Sequence, residues 1–266
     1  SMRPPLVAVL VGFLILTSGC LGLTAPDQPP SDQRALDALN RSQNATADVR
    51  SYRTTVDGTL SASESDDSVR LAVTGNVAVD VAGRRMNATT GIEDVDGTIR
   101  TRQTAPKRAY VSGYTAYTEC ARMGWERQNL SKSRPWLTYT PVGQQLAVLN
   151  ETNVYWRGTE VIDGTETVVV VGYPSKQALR AVPDVRGASA TEIQDANIEN
   201  ATVTLWLDSE THRPVQAQRE IEVADSGATA TATVTFDFAG YDEPTSVRRP
   251  EFDEDEIWQL GCPGTS

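Results

Sequence analysis

Few side chains in this sequence are suited to covalent or acid–base chemistry. Cysteine occurs at Cys20, Cys120 and Cys262, and the one histidine is His212. Hydrolytic triads and most zinc sites need imidazoles set among partners. His212 lies between Asp208 and Pro214 in a turn-forming stretch and reads as a polar turn residue. A Cys–His nucleophile would need Cys120 or Cys262 to stay reduced, which an oxidising compartment opposes. The acidic run Glu251, Asp253, Glu254, Asp255 and Glu256 lacks the spacing and glycine of a calcium loop and reads as a solvated tail. With no nucleophile–base pair or ligand cluster legible, the expectation is a protein without catalytic residues, cofactor or metal.

The legible chemistry is that of an acylated thiol. Leu6 to Cys20 is uncharged and closes on Thr17-Ser18-Gly19-Cys20. Arg3 supplies a small positive charge ahead of an apolar run of about eleven residues, Leu6 to Leu16, as in secretory signals. Ser18 and Gly19 are small enough to pass a peptidase cleft, and Cys20 then presents a thiol for lipid attachment. This ending resembles the bacterial and archaeal lipobox, with Thr17 where leucine is commonest and Leu16 one step earlier. No twin-arginine pair precedes it, so a Sec-type route is expected. The rival reading is an uncleaved spanning helix: Leu6 to Leu23 holds about 18 uncharged residues against the roughly 20 needed. Arg3 on the inner side would then leave the same domain outside; ordinary cleavage would leave it untethered. Lipidation at Cys20 is the expectation, tying the chain to the outer face of the cell membrane.

An exported chain changes the reading of its other residues. Cys120 and Cys262 are expected to pair. Closing about 140 residues would stabilise by about 5 kcal/mol in the chain-entropy model. Two free thiols remain the alternative, because sequence does not show that their Cα atoms approach. Asn40, Asn44, Asn87, Asn129, Asn150 and Asn200 head Asn-x-Ser/Thr sequons and are glycosylation candidates, some of them expected by chance in a Thr-rich chain. Tyr114, Tyr117, Trp125 and Trp136 gather mid-chain and are candidates for a ligand mouth, against the plainer reading of core packing.

The net charge of −11 excludes nucleic acid as a partner. Lys107, Lys132 and Lys176 are the only lysines among 24 basic residues. This makeup resembles that of haloarchaeal proteins. In molar salt the Debye length falls to about 3 Å, so dispersed carboxylates hydrate the surface without strong mutual repulsion.

The patterning divides the chain into a signal peptide (1–20), a Pro-rich tether (21–33), a β-rich domain (34–250) and an acidic tail (251–266) pinned by Cys262. Asp32 is placed to cap a helix through Ala35, Leu36 and Leu39 that ends near Asp48. Alternation predicts strands at 52–60, 69–80, 84–93, 98–103 and 108–112. The stretch from Tyr114 to Tyr139 is irregular by this measure. Thr140-Pro141 starts a second helix over 142–149. Strands follow at 154–160 and 167–173 around an Asp163-Gly164 turn, then a short helix over 176–182 and a loop over 184–190. Strands at 201–207, 215–223 and 228–238 close the pattern as three antiparallel neighbours.

This element order, with Trp206-Leu207-Asp208-Ser209-Glu210-Thr211-His212-Arg213-Pro214, Phe236-Asp237-Phe238 and Tyr241-Asp242-Glu243-Pro244, resembles the LolA-like lipoprotein superfamily, including its LppX and LprG type. The resemblance spans roughly residues 34–250. It implies a β-dominated α+β fold: a large curved antiparallel sheet, an unclosed half-barrel, with an N-terminal helix and short helices covering the concave face. It also implies non-catalytic binding of an apolar or lipid-like ligand in that face. The alternative is a cell-surface scaffold or accessory protein that binds another protein and has no ligand cavity. Strand positions rich in Val, Thr and Ala rather than Phe and Leu bear on how wide such a cavity is.

Overall fold

A computed structural model describes residues 28–64, 67–95, 107–120, 124–181, 197–225, 228–252, 257–259 and 262. The leader with Cys20, the strand expected at 98–103, the loop at 184–190 and the acids 253–256 lie outside the described residues. One sheet of twelve strands dominates. In chain order these are β1 (Ser51–Glu64), β2 (Asp67–Asp80), β3 (Arg85–Asp94), β4 (Lys107–Ser112), β5 (Thr115–Glu119), β6 (Trp125–Asn129), β7 (Val154–Ile162), β8 (Thr165–Gly172), β9 (Ile198–Asp208), β10 (Pro214–Asp225), β11 (Ala228–Ala239) and β12 (Ile257–Trp258). Their spatial order is β12-β6-β5-β4-β3-β2-β1-β11-β10-β9-β8-β7, so the sheet is unclosed, with β12 and β7 at its edges. Every pairing is antiparallel except the parallel β12–β6 pair.

Local chemistry explains the elements. The Asp32 carboxylate accepts from the Arg34 N–H at 2.8 Å and caps α1 (Gln33–Ala47), which buries Ala35, Ala38, Leu39, Ser42 and Thr46 at helical spacing. Residues 29–32 of the expected tether are held on the domain: the Tyr155 hydroxyl donates to the Pro29 carbonyl, and the Asp32 N–H donates to the Val154 carbonyl. Asp163 (φ 48°) and Gly164 (φ 84°) are both left-handed, as a two-residue turn matching strand twist requires. Thr140 caps α2 (Pro141–Asn150) by accepting from the Gly143 N–H. Only glycine fits at 143, since a Cβ there would stand 1.9 Å from the Leu137 carbonyl oxygen of the preceding 3-10 turn, Trp136–Tyr139. A short α3 (Lys176–Ala181) follows β8.

The core lies between α1, α2 and one sheet face. Tyr52, Val79, Leu205 and Ala217 from the strands meet Leu39, Leu146 and Leu149 from the helices. The irregular middle is a correction to the sequence reading: residues 115–119 and 125–129 are strands β5 and β6. Strands of five residues carrying Arg, Glu and Gln offer too few alternations for a period-two signal to stand out.

Candidate ligand-binding site

The two faces of the sheet follow from strand alternation. Tyr52, Thr54 and Val56 of β1 are buried under the helices, while Arg53, Thr55 and Asp57 point outward and are exposed. Further along the strands the inner face continues past the helices. Register aligns Ile92, Val73, Gly58, Val234 and Arg219 in one row across five strands. The next row is Leu71, Leu60, Ala232, Ile221 and Ala201. Val73, Leu60, Val234, Ala232 and Ile221 are only half-buried, and Ile92 is 37 % exposed. This half-buried apolar strip of the inner face, termed the trough, adjoins α2 at the row of Arg219. One polar group marks that boundary. The Arg219 Nε donates to Gln145 Oε1 at 2.7 Å, and Gln145 on α2 is fully buried. The Gln145 Nε2 has no partner among the described residues.

The mid-chain aromatics do not form one mouth. Trp136 is buried in the core and donates from its indole to the Gly113 carbonyl at 2.6 Å. Tyr114 packs edge-on to Tyr139 beside it. Tyr117 and Trp125 sit on the outer face instead. Tyr117 stacks on Tyr110, and Phe252 of the C-terminal segment lies 5.0 Å from Tyr117 and 5.2 Å from Trp125, ring centre to ring centre. Arg108, held by both oxygens of Glu119, covers Trp125. The expected grouping of Tyr114, Tyr117, Trp125 and Trp136 is therefore corrected to two pairs on opposite faces. Adjacent positions such as 116 and 117 face opposite ways, which sequence clustering does not register.

Cys120 and Cys262 form a disulfide with Cα atoms 5.4 Å apart, fastening the C-terminal segment beside β6. Asn40, Asn44, Asn129, Asn150 and Asn200 are exposed; Asn87 is half-buried on the outer face of β3. His212 has φ 60° in the β9–β10 turn, where the Asp208 carboxylate accepts from the Glu210 and Thr211 N–H groups at 2.8 and 2.7 Å. Burial would raise the Asp208 pKa, but those N–H donors hold it below the ordinary value. The arrangement shapes a turn. Among the described residues no group of His, Cys, Asp or Glu is placed to hold a metal ion, and no helix is long and apolar enough to cross a membrane.

Sequence reasoning passed over one feature. On the outer face of β11, β1, β2 and β3 lies a cleft of about 350 Å³ lined by Arg53, Thr55, Asn76, Asn87, Thr89 and Asp237. Its sequence signal was the placement of Asn76 and Asn87 in mid-strand, where asparagine is depleted.

No family model and no curated protein matches the chain. Among solved structures it is similar to the lipoprotein LppX of Mycobacterium tuberculosis, at 18% identity and TM-score 0.45 over 82% of this chain and 100% of that one. It is similar to LprF of Mycobacterium bovis at 15% identity and TM-score 0.49, over 84% and 99%. A putative outer membrane lipoprotein-sorting protein domain from Vibrio parahaemolyticus matches at 11% identity and TM-score 0.31, over 78% and 93%. The LppX type that the strand-and-turn signature resembles is thus among the matched structures.

Proposed function

We propose that this chain is an extracytoplasmic lipoprotein, anchored through Cys20, that holds an apolar or lipid-like ligand in the concave trough without catalysis. The observation that carries the reading is the half-exposed apolar surface left on the inner face beyond α2, from Ile92 through Leu60 to Ile221. Leaving so many aliphatic side chains partly wet forgoes about 25 cal/mol for each Å² that a ligand could cover. A ligand with an apolar chain and one polar group matches an aliphatic trough ending at Gln145 and Arg219. The polar group would supply the partner that Gln145 Nε2 lacks, at the boundary where the trough meets α2.

The test is to purify the domain from residue 26 onward, without the leader, and extract it for lipid mass spectrometry. A copurifying amphiphile in near-stoichiometric amount is expected. Its yield should fall sharply in Ile221→Asp, which places a charge in the trough. Protein that is empty after purification, and that takes up no fatty acid or phospholipid from vesicles, favours the scaffold reading instead.

A further inference from the structure

The trough accounts for the inner face only. On the outer face, register sets two rows side by side across β11, β1, β2 and β3. The first is Asp237, Thr55, Asn76 and Thr89; the second is Ala239, Arg53, Ala78 and Asn87. Adjacent strands are about 4.8 Å apart, so the rows form a close grid of short side chains. Ala78 and Ala239 are the small positions among them, and with the longer side chains they line an open cleft of about 350 Å³. That volume falls within the range for small-ligand sites.

The charges in the cleft already have partners. Arg53 pairs with Glu243, and its guanidinium lies so close over Gly240 (φ 64°) that a Cβ there would meet it at 2.5 Å. Asp237 accepts from the Gln216 amide at 2.7 Å. What remains are the amides of Asn76 and Asn87 and the hydroxyls of Thr55 and Thr89, which have no side-chain hydrogen-bond partner among the described residues. Amide and hydroxyl groups each offer a donor and an acceptor. The strands of the cleft are paired on both sides, so their main chains are committed to the ladder and no peptide can add as a further strand.

We propose that this cleft is a second binding site, for a neutral saccharide. Each hydroxyl of a sugar is donor and acceptor at once, which matches neutral amides and hydroxyls set beside the Asp237 carboxylate, an acceptor for sugar hydroxyls that disfavours an anionic ligand. The C–H face of a pyranose would rest on Ala78, between the Arg53 stem and Asn87. An anionic sugar gains nothing here, because Arg53 is already neutralised by Glu243.

The experiment uses the full chain from a host without N-glycosylation, so that Asn87 carries no glycan of its own. It is held in a detergent that has no sugar headgroup. Maltotriose, cellotriose, chitotriose and mannotriose are titrated by saturation-transfer NMR and calorimetry, with trigalacturonate as the charged comparison. At least one neutral trisaccharide should bind. Asn76→Ala with Asn87→Ala removes two hydrogen-bonding groups and should weaken binding by about tenfold or more. Thr55→Val, close to isosteric, should weaken it by about fivefold and serves if the double variant is destabilised. Asn200→Ala, an exposed amide on the same face but outside the cleft, should leave affinity unchanged. Absence of binding by all four neutral probes overturns the proposal. So does affinity unchanged in both cleft variants, or tighter binding of trigalacturonate than of any neutral trisaccharide.

Discussion

Replacing Tyr52 by phenylalanine tests how the sheet and α2 are joined. Tyr52 is fully buried, and its hydroxyl accepts from the Val142 N–H at 3.2 Å. That N–H belongs to the first turn of α2, where backbone donors lack partners within the helix. Thr140 satisfies Gly143 from within the same segment, while Tyr52 satisfies Val142 from a strand ninety residues away. Phenylalanine keeps the ring packed against Phe238 and Tyr241, so the transfer and cavity costs are small. The remaining cost is a buried N–H with no acceptor, about 1 to 3 kcal/mol. Burial raises the Tyr52 pKa well above its ordinary value, only partly offset by hydrogen bonding with the Thr140 side chain and the Val142 N–H. The phenol therefore stays neutral, and the penalty should be the same between about pH 6 and 9. Urea unfolding with the disulfide intact should show a lower midpoint and an unchanged m-value. Tyr241→Phe is the comparison: it removes a donor to the Pro214 carbonyl at 2.8 Å, and a carbonyl tolerates that loss better, at about 1 kcal/mol. A Tyr52→Phe loss under about 0.5 kcal/mol, or one smaller than that of Tyr241→Phe, would refute the tertiary cap.

Cys120→Ala with Cys262→Ala should free the C-terminal segment from the outer face, giving Trp125, now buried, ready access to iodide quenching. The loss of stability should reach at most about 5 kcal/mol for a separation of 142 residues. Acid should unfold the protein through its turn carboxylates. The Arg50 N–H and then Arg213 hold Asp242 below its ordinary pKa, so the unfolded chain takes up protons first as pH falls. Stability should thus be full at neutral pH and drop below about pH 4, and Asp242→Asn should lower the plateau and flatten the drop in a pH series of urea midpoints. Intact-glycopeptide mass spectrometry of protein from a glycosylating host should find Asn87 the least occupied sequon, since it alone is half-buried within the sheet face. Cys20→Ser should abolish lipid mass at residue 20 and either release the protein from membranes or leave its leader uncleaved.

Local signals in the sequence were legible where one residue type decides the geometry. Asp32 caps α1, Thr140-Pro141 opens α2, Asp163-Gly164 turns β7 into β8, and the run from Ala201 to Phe238 resolves into three neighbouring strands. The placement of β1 between β2 and β11 joins the two ends of the domain, and no local pattern encodes a pairing such as Thr54 with Phe238. The two-residue strand β12 is paired to β6 beside the Cys120–Cys262 bond, too short to show any period of its own. For the sites, the aromatics misled because Trp125 lies outward under Phe252 while Trp136 lies inward. The outer cleft is built of Thr, Asn and Asp at alternate positions, which reads like any solvated strand face until register sets four strands side by side.

The motifs behind the family resemblance have a structural task. Asp208 closes the β9–β10 turn through its carboxylate, and Arg213 from that turn reaches Asp242 at 2.7 Å. Asp242 also accepts from the Arg50 N–H at the start of β1, and the Tyr241 hydroxyl returns to the Pro214 carbonyl. Together they bolt the last three long strands to the first at one end of the sheet. None of these residues lies in the open rows of the trough, which begin at Gly58 and Val234, further along the strands. The clasp is therefore separate from trough positions such as Leu60, Val73 and Ile221, which under the proposed function would decide what is held. Exchanging those three for phenylalanine should alter ligand uptake while leaving the clasp, and with it the unfolding midpoint, little changed.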